Sequence, residues 1–190
     1  MKILMLSVTT VALLTMVCFA QTKSAMQRER LDKIQQELKG EVPRITCVDE
    51  RFATGGQPTD AAFQKLAAAG YRAVLNLRTE AEGVDLRHEQ ASAEKAGLRY
   101  ISIPVVSAAP KAEQVDEFFK ALKNNDYQPM FIHCGSANRV GAFWLIYRVV
   151  EQGWPFDKAL LEAEQIGLTS ASLKAFAKDY IETHQTKKSG

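Results

Sequence analysis

Cysteine and histidine are scarce in this chain, with three of each among 190 residues. One of the three cysteines, Cys18, lies in the N-terminal apolar run, so Cys47 and Cys134 are too few for a disulfide scaffold. A bridge between them and a buried, inert Cys47 on a strand both remain open. His88, His133 and His184 show no metal-ligand spacing, which argues against a metal centre. Charge of one sign is also missing: a formal net charge of +2 lacks the basic excess of a nucleic-acid binder. Long hydrophobic runs are confined to the start of the chain.

That run follows Lys2, carries no charge from Ile3 to Ala20, and closes on Cys18-Phe19-Ala20. It reads as a secretory signal peptide cut after Ala20, giving a secreted or, in a bacterium, periplasmic protein without stable membrane insertion. Left uncut, the same stretch would be a membrane anchor. The remaining length suits one domain with its own core.

Residues 21–44 read as a charged surface helix or arm, with Leu31, Ile34 and Leu38 at helical spacing and Gly40 as a stop. ITCVDERFATGGQPT gives short extended pieces and a turn. Helices and apolar strands then alternate: TDAAFQKLAAAG, the strand YRAVLNL at 71–77, a charged loop, a helix ending at Gly97, the strand LRYISIPV, the helix KAEQVDEFFKALKN and the strand PMFIHC. Crossovers of this length force a mainly parallel sheet flanked by helices on both faces, an α/β fold. Three helices follow, at 139–152, about 155–166 and about 170–183, and HQTKKSG reads as a flexible tail at 184–190. Residues 45–183 are the expected domain. Phe143, Trp144, Ile146, Tyr147 and Val150 repeat at helical spacing and read as core.

The chemistry concentrates in HCGSANRVGAFWLIYR, residues 133–148. Cys134 ends a strand, a helix begins near Arg139, and the residues between are small. Small side chains let backbone N–H groups converge, and the helix N-terminus adds a positive end, so an anion fits there. The same environment favours thiolate over thiol, and Arg139 can clamp two oxygens of an oxyanion.

This stretch resembles the phosphate-binding loop of the cysteine-dependent protein tyrosine and dual-specificity phosphatases, particularly the bacterial beta-lactamase hydrolase-like group. The resemblance extends through TGGQPTDAAFQKLAAAGYRAVLNLRTEAEG, GLRYISIPV and EQGWPFDKALLEAEQIGL, about residues 45–168. It implies a three-layer phosphatase-like fold and hydrolysis of a phosphate monoester without metal or cofactor. Cys134 would be the nucleophile, with phosphate held by Arg139 and the loop at Gly135, Ser136, Ala137 and Asn138, and with His133 in support. The implied partner is a phosphorylated small molecule or a phosphoprotein.

Four departures qualify the resemblance. The loop is one residue shorter than the phosphatase signature, a spacing used by rhodanese-like sulfurtransferases, so a Cys134 persulfide is an alternative. Ala137 replaces a usual glycine, and a positive φ there would be strained. Val140 replaces a hydroxyl residue. The expected aspartate after ISIPV is absent too, leaving Glu80, Glu82 and Asp116 as candidates for the general acid. Together these also leave open a non-catalytic anion-binding module.

Overall fold

The computed structural model describes the backbone of residues 8–188 and the side chains of residues 21–184. The signal reading of residues 1–20 therefore falls outside the described side chains. From Val8 to Leu38 the backbone is one helix, α1. Among the described residues no helix is long and apolar enough to cross a membrane.

The strands are β1 (Thr46–Cys47), β2 (Phe52–Gly55), β3 (Ala73–Asn76), β4 (Arg99–Ser102) and β5 (Met130–His133). The remaining helices are α2 (Asp60–Ala68), α3 (Leu86–Lys95), α4 (Ala112–Lys123), α5 (Asn138–Ile146), α6 (Phe156–Ile166) and α7 (Ala171–Lys188). Strand order is β1-β2-β5-β3-β4. All neighbours run parallel except β1, which pairs antiparallel with β2. The expected mainly parallel α/β sheet is present.

Strand alternation divides the core between two faces. Phe52, Leu75, Met130 and Ile132 point toward the layer containing α4 to α7. Ala53, Val74 and Phe131 point to the opposite layer, with Phe63, Leu66 and Ala93 of α2 and α3. Burying a phenylalanine such as Phe131 contributes about 1.5–3 kcal/mol, and truncating it to alanine would cost about 3–5 kcal/mol because a cavity remains.

Register positions the site. Gly55 of β2, His133 of β5 and Asn76 of β3 are aligned, and Asn76 is aligned with Ser102 of β4. Four parallel strands thus finish in one row, and their following loops emerge along one edge of the sheet. Such a carboxyl edge is where open α/β sheets bind ligands.

Tertiary contacts move several expected boundaries. The strands expected at 71–77 and 98–105 pair only over Ala73–Asn76 and Arg99–Ser102. The edge strand β4 is partly exposed rather than wholly covered. The segment 21–44 is not a free arm along its length, since Ile34, Leu38 and Val42 are buried in the α2/α3 core. Gln35 also accepts the Cys47 N–H at 2.9 Å. The helix expected at 139–152 changes after Ile146 to a π-helical turn, Tyr147–Glu151. The tail expected from His184 remains helical to Lys188. The His184 ring stacks on Tyr180 with centroids 3.8 Å apart, and a ring nitrogen lies 2.8 Å from the Tyr180 carbonyl.

Candidate active site

Cys134 follows β5 directly and is buried. Its backbone N–H donates to Gly55 O at 3.4 Å, while Gln57 N–H donates to Gly135 O at 3.2 Å. Gly56 forms a bridge with Ser136. GGQPT therefore braces the loop, and Gly56 allows the approach: a Cβ there would lie 3.0 Å from Gly135 O.

Ala137 has φ 66 and ψ 0, immediately before α5. The conditional expectation of left-handed backbone at this position is met, at a cost of about 1–2 kcal/mol. Neighbouring contacts hold the conformation. Gly141 N–H donates to Ala137 O at 2.9 Å. The Asn138 side-chain oxygen accepts Thr169 N–H and Ser170 N–H, each at 2.8 Å, and the Thr169 hydroxyl at 3.2 Å. Asn138 thereby fastens the start of α5 to the α6–α7 connection.

Arg139 is buried and converges on the same edge. Its Nη1 donates to Leu77 O at 3.0 Å and Val105 O at 2.8 Å, the carbonyls that follow β3 and β4. Glu82 takes the outer edge of the fork, with Nη1 to Oε1 at 2.6 Å and Nη2 to Oε2 at 2.7 Å. This uses the Nη1/Nη2 edge, while the side chain also lies within hydrogen-bonding reach of Cys134; a guanidinium fork of this kind can receive two oxygens of a tetrahedral anion. Burial pushes the Arg139 pKa down, but Glu82 and the Cys134 sulfur beside it raise it overall. The guanidinium stays charged.

Glu82 lies on a short 3-10 turn, Glu80–Glu82, after β3. Thr79 N–H donates to it at 2.8 Å and Arg78 Nε at 3.0 Å. Burial raises its pKa, but Arg139, Thr79 and Arg78 outweigh that and hold it down at about 2. A carboxyl ionised so strongly has no proton to give at neutral pH. Glu82, expected as an acid candidate, is instead the ion-pair partner of Arg139. Glu80 is exposed on the same turn. Asp116 is on α4, where it accepts the Tyr180 hydroxyl at 3.0 Å, so it serves helix packing away from the loop.

The remaining predicted residues fall as follows. Gly135 is half-buried and Ser136 exposed on the loop, while Val140 is buried behind it. His133 is fully buried, its ring stacked on Phe131. Cys47 and Cys134 are both free thiols. Cys47 lies 3.9 Å from the Tyr71 hydroxyl. Burial and, to a lesser degree, Asp32 raise the Cys47 thiol pKa against a smaller opposing effect of Tyr71. The residues missed in the sequence are Gln57, Asn76, Arg78, Glu89 and Tyr100. Gln57 and Arg78 did stand inside recognised segments, the GGQPT turn and the charged loop after YRAVLNL, but their partners were not visible.

The model of a family described as "DSP-PTPase phosphatase fused to NAD+ Kinase" matches residues 25–188. The chain belongs to this phosphatase family. Its sequence is 32% identical over 113 residues to the Beta-lactamase hydrolase-like protein of Xylella fastidiosa (strain 9a5c), covering 57% of this chain and 26% of that protein. The chain thus spans about a quarter of the length of such curated relatives. Solved structures share the fold. A DUF442 protein from Shewanella putrefaciens CN-32 aligns at a TM-score of 0.66 and 22% identity, covering 78% of this chain and 97% of its own. The core catalytic domain of the PP-IP phosphatase SIW14 from S. cerevisiae aligns at 0.64 and 17%, covering 76% and 87%. TpbA from P. aeruginosa aligns at 0.61 and 20%, covering 72% and 84%. Membership of the phosphatase family agrees with the phosphatase-like fold that the resemblance implied.

Proposed function

We propose that this protein is an exported phosphatase that hydrolyses a phosphate monoester through a cysteinyl-phosphate on Cys134. The observation that supports the reading is the arginine fork: Glu82 holds Arg139 from one edge, beside the Cys134 sulfur, as a clamp for an oxyanion on the loop that begins with Cys134 requires. The Cys134 thiolate attacks phosphorus, forming an S–P bond as the ester P–O bond breaks and the alkoxide or phenolate leaves, to be protonated by water. Water then attacks phosphorus, the S–P bond breaks, and inorganic phosphate and thiolate are released. Arg139 and the loop N–H groups oppose the charge that builds on the equatorial oxygens.

With Glu82 committed to Arg139, aryl phosphates, whose leaving group needs little protonation, turn over faster than alkyl phosphates. Export rests on the uncharged run from Ile3 to Ala20, and N-terminal sequencing of the accumulated protein tests it. The function is tested with an aryl phosphate, a phosphopeptide, an inositol phosphate and thiosulfate, using Cys134→Ser as control. Cys134-dependent phosphate release and a trapped phosphoprotein support the reading. The short loop favours sulfurtransfer as the second reading, and thiosulfate turnover to cyanide without phosphatase activity would replace the first. Anion binding without either turnover would leave a binding module.

A further inference from the structure

Behind the loop, one buried carboxylate gathers hydrogen-bond donors from three other segments of the chain. Glu89, in the first turn of α3, is 5% exposed. Its Oε1 accepts Asn76 Nδ2 at 2.7 Å and the Tyr100 hydroxyl at 2.6 Å, and its Oε2 accepts Gln57 Nε2. His133 Nε2 lies 3.3 Å from Oε1. The His133 ring has no aligned hydrogen-bond partner on either nitrogen.

The direction of each bond that Gln57, Asn76 and Tyr100 make to Glu89 is determined. Arg78 has only donors, and its Nη1 donates to Gln57 Oε1 at 2.7 Å, so the Gln57 amide must turn Nε2 toward Glu89. Arg78 N–H likewise donates to Asn76 Oδ1 at 2.7 Å, so Asn76 must also turn its NH2 toward Glu89. Tyr100 accepts from Asn76 Nδ2 at 2.8 Å and spends its own hydrogen on Glu89. Three donors therefore converge on one side chain, which has to be acceptor-only. Burial works against ionisation of Glu89, but His133, Tyr100 and Gln57 overcome it and hold the pKa at about 2.

Two arms leave this hub. One reaches His133, the residue before Cys134. The other runs through Gln57 and Arg78 to Glu82, where Arg78 Nε donates at 3.0 Å, and from Glu82 to Arg139. We propose that Glu89 is a positioning residue that sets the nucleophile-bearing strand end and the anion-binding arginine in register with each other. The proposal rests on the phosphatase reading only for its kinetic consequence, because anion affinity reports the same geometry without turnover. Glutamine cannot replace Glu89: its NH2 would oppose a converging donor, and relief by turning Gln57 would oppose two donors at Arg78 instead.

The test compares the full chain with Glu89→Gln, Gln57→Leu and the double variant. Calorimetric affinity for inorganic phosphate, kcat and KM for p-nitrophenyl phosphate, and the melting temperature are measured. Glu89→Gln is expected to weaken phosphate binding and lower kcat/KM by about 10- to 100-fold, as misplacement of catalytic groups does. Gln57→Leu, which cuts only the arm to Arg139, is expected to weaken phosphate binding with less effect on kcat. Because both changes interrupt one chain of contacts, the double variant is expected to bind phosphate no worse than Glu89→Gln. A lower melting temperature with phosphate affinity retained within about twofold, or additive losses in the double variant, overturns the proposal. Should Glu89→Gln fail to fold, unchanged phosphate affinity in Gln57→Leu overturns it. Phosphate binding without turnover by the wild type would sink the phosphatase reading, while the binding comparison would still decide the role of Glu89.

Discussion

Replacing Glu82 by glutamine is expected to lower stability at neutral pH and to remove part of the acid sensitivity of the fold. The carboxyl is held at about 2 against an ordinary 4.5. At about 1.4 kcal/mol per pKa unit, that depression corresponds to roughly 3 kcal/mol in a fully shielded site. The Glu82 side chain is 27% exposed, however, while that of Arg139 is 6% exposed, and solvent screening reduces the expected effect to about 1–2 kcal/mol. For a chain of this size, each kcal/mol moves the melting temperature by about 2–4 °C. The sign follows from linkage: a depressed carboxyl stabilises fully above its unfolded-state value near 4.5, and the contribution is lost as pH falls toward about 2. Urea unfolding of wild type and Glu82→Gln at about pH 7 and about pH 2.5 should therefore show a gap that narrows on acidification. An equal gap at both pH values would mean that the Arg139 pairing does not depress this carboxyl, and the reasoning would fail.

Other substitutions probe the remaining supports. Arg139→Lys keeps the charge but loses the planar fork that reaches Glu82, Leu77 and Val105. Its turnover of an aryl phosphate is expected to fall about 100-fold or more in kcat/KM. Asn138→Ala takes the acceptor from Thr169 N–H and Ser170 N–H, and chemical denaturation should register a loss of about 1–3 kcal/mol. Gly141→Ala places a Cβ 2.8 Å from both Ala163 O and Leu168 Cβ. Overpacking of about 1–3 kcal/mol or more should appear as a lower unfolding midpoint.

Much of the architecture was legible because alternation of apolar strands and amphipathic helices leaves little choice about sheet type. Cys134 and Arg139 were legible for a related reason: they are close in the chain, and a strand-to-helix turn brings them to one loop whatever packs around it. The strain at Ala137 could be stated only as a condition, since its φ depends on how α5 joins that loop. The general-acid candidates were read less well. Glu82 and Asp116 advertise only a carboxylate, and their roles come from Arg139 and Tyr180, which are 57 and 64 positions away in the chain.

The sequence by itself determined the α/β fold and the placing of Cys134 and Arg139 on one short strand-to-helix loop, because both follow from local periodicity and adjacent residues. Only the tertiary structure decided that Glu82 orients the arginine and that Glu89 ties Gln57, Asn76, Tyr100 and His133 together. Those roles arise where parallel strands with long crossovers finish in a common row, and the distance along the chain between their ends hides the contacts.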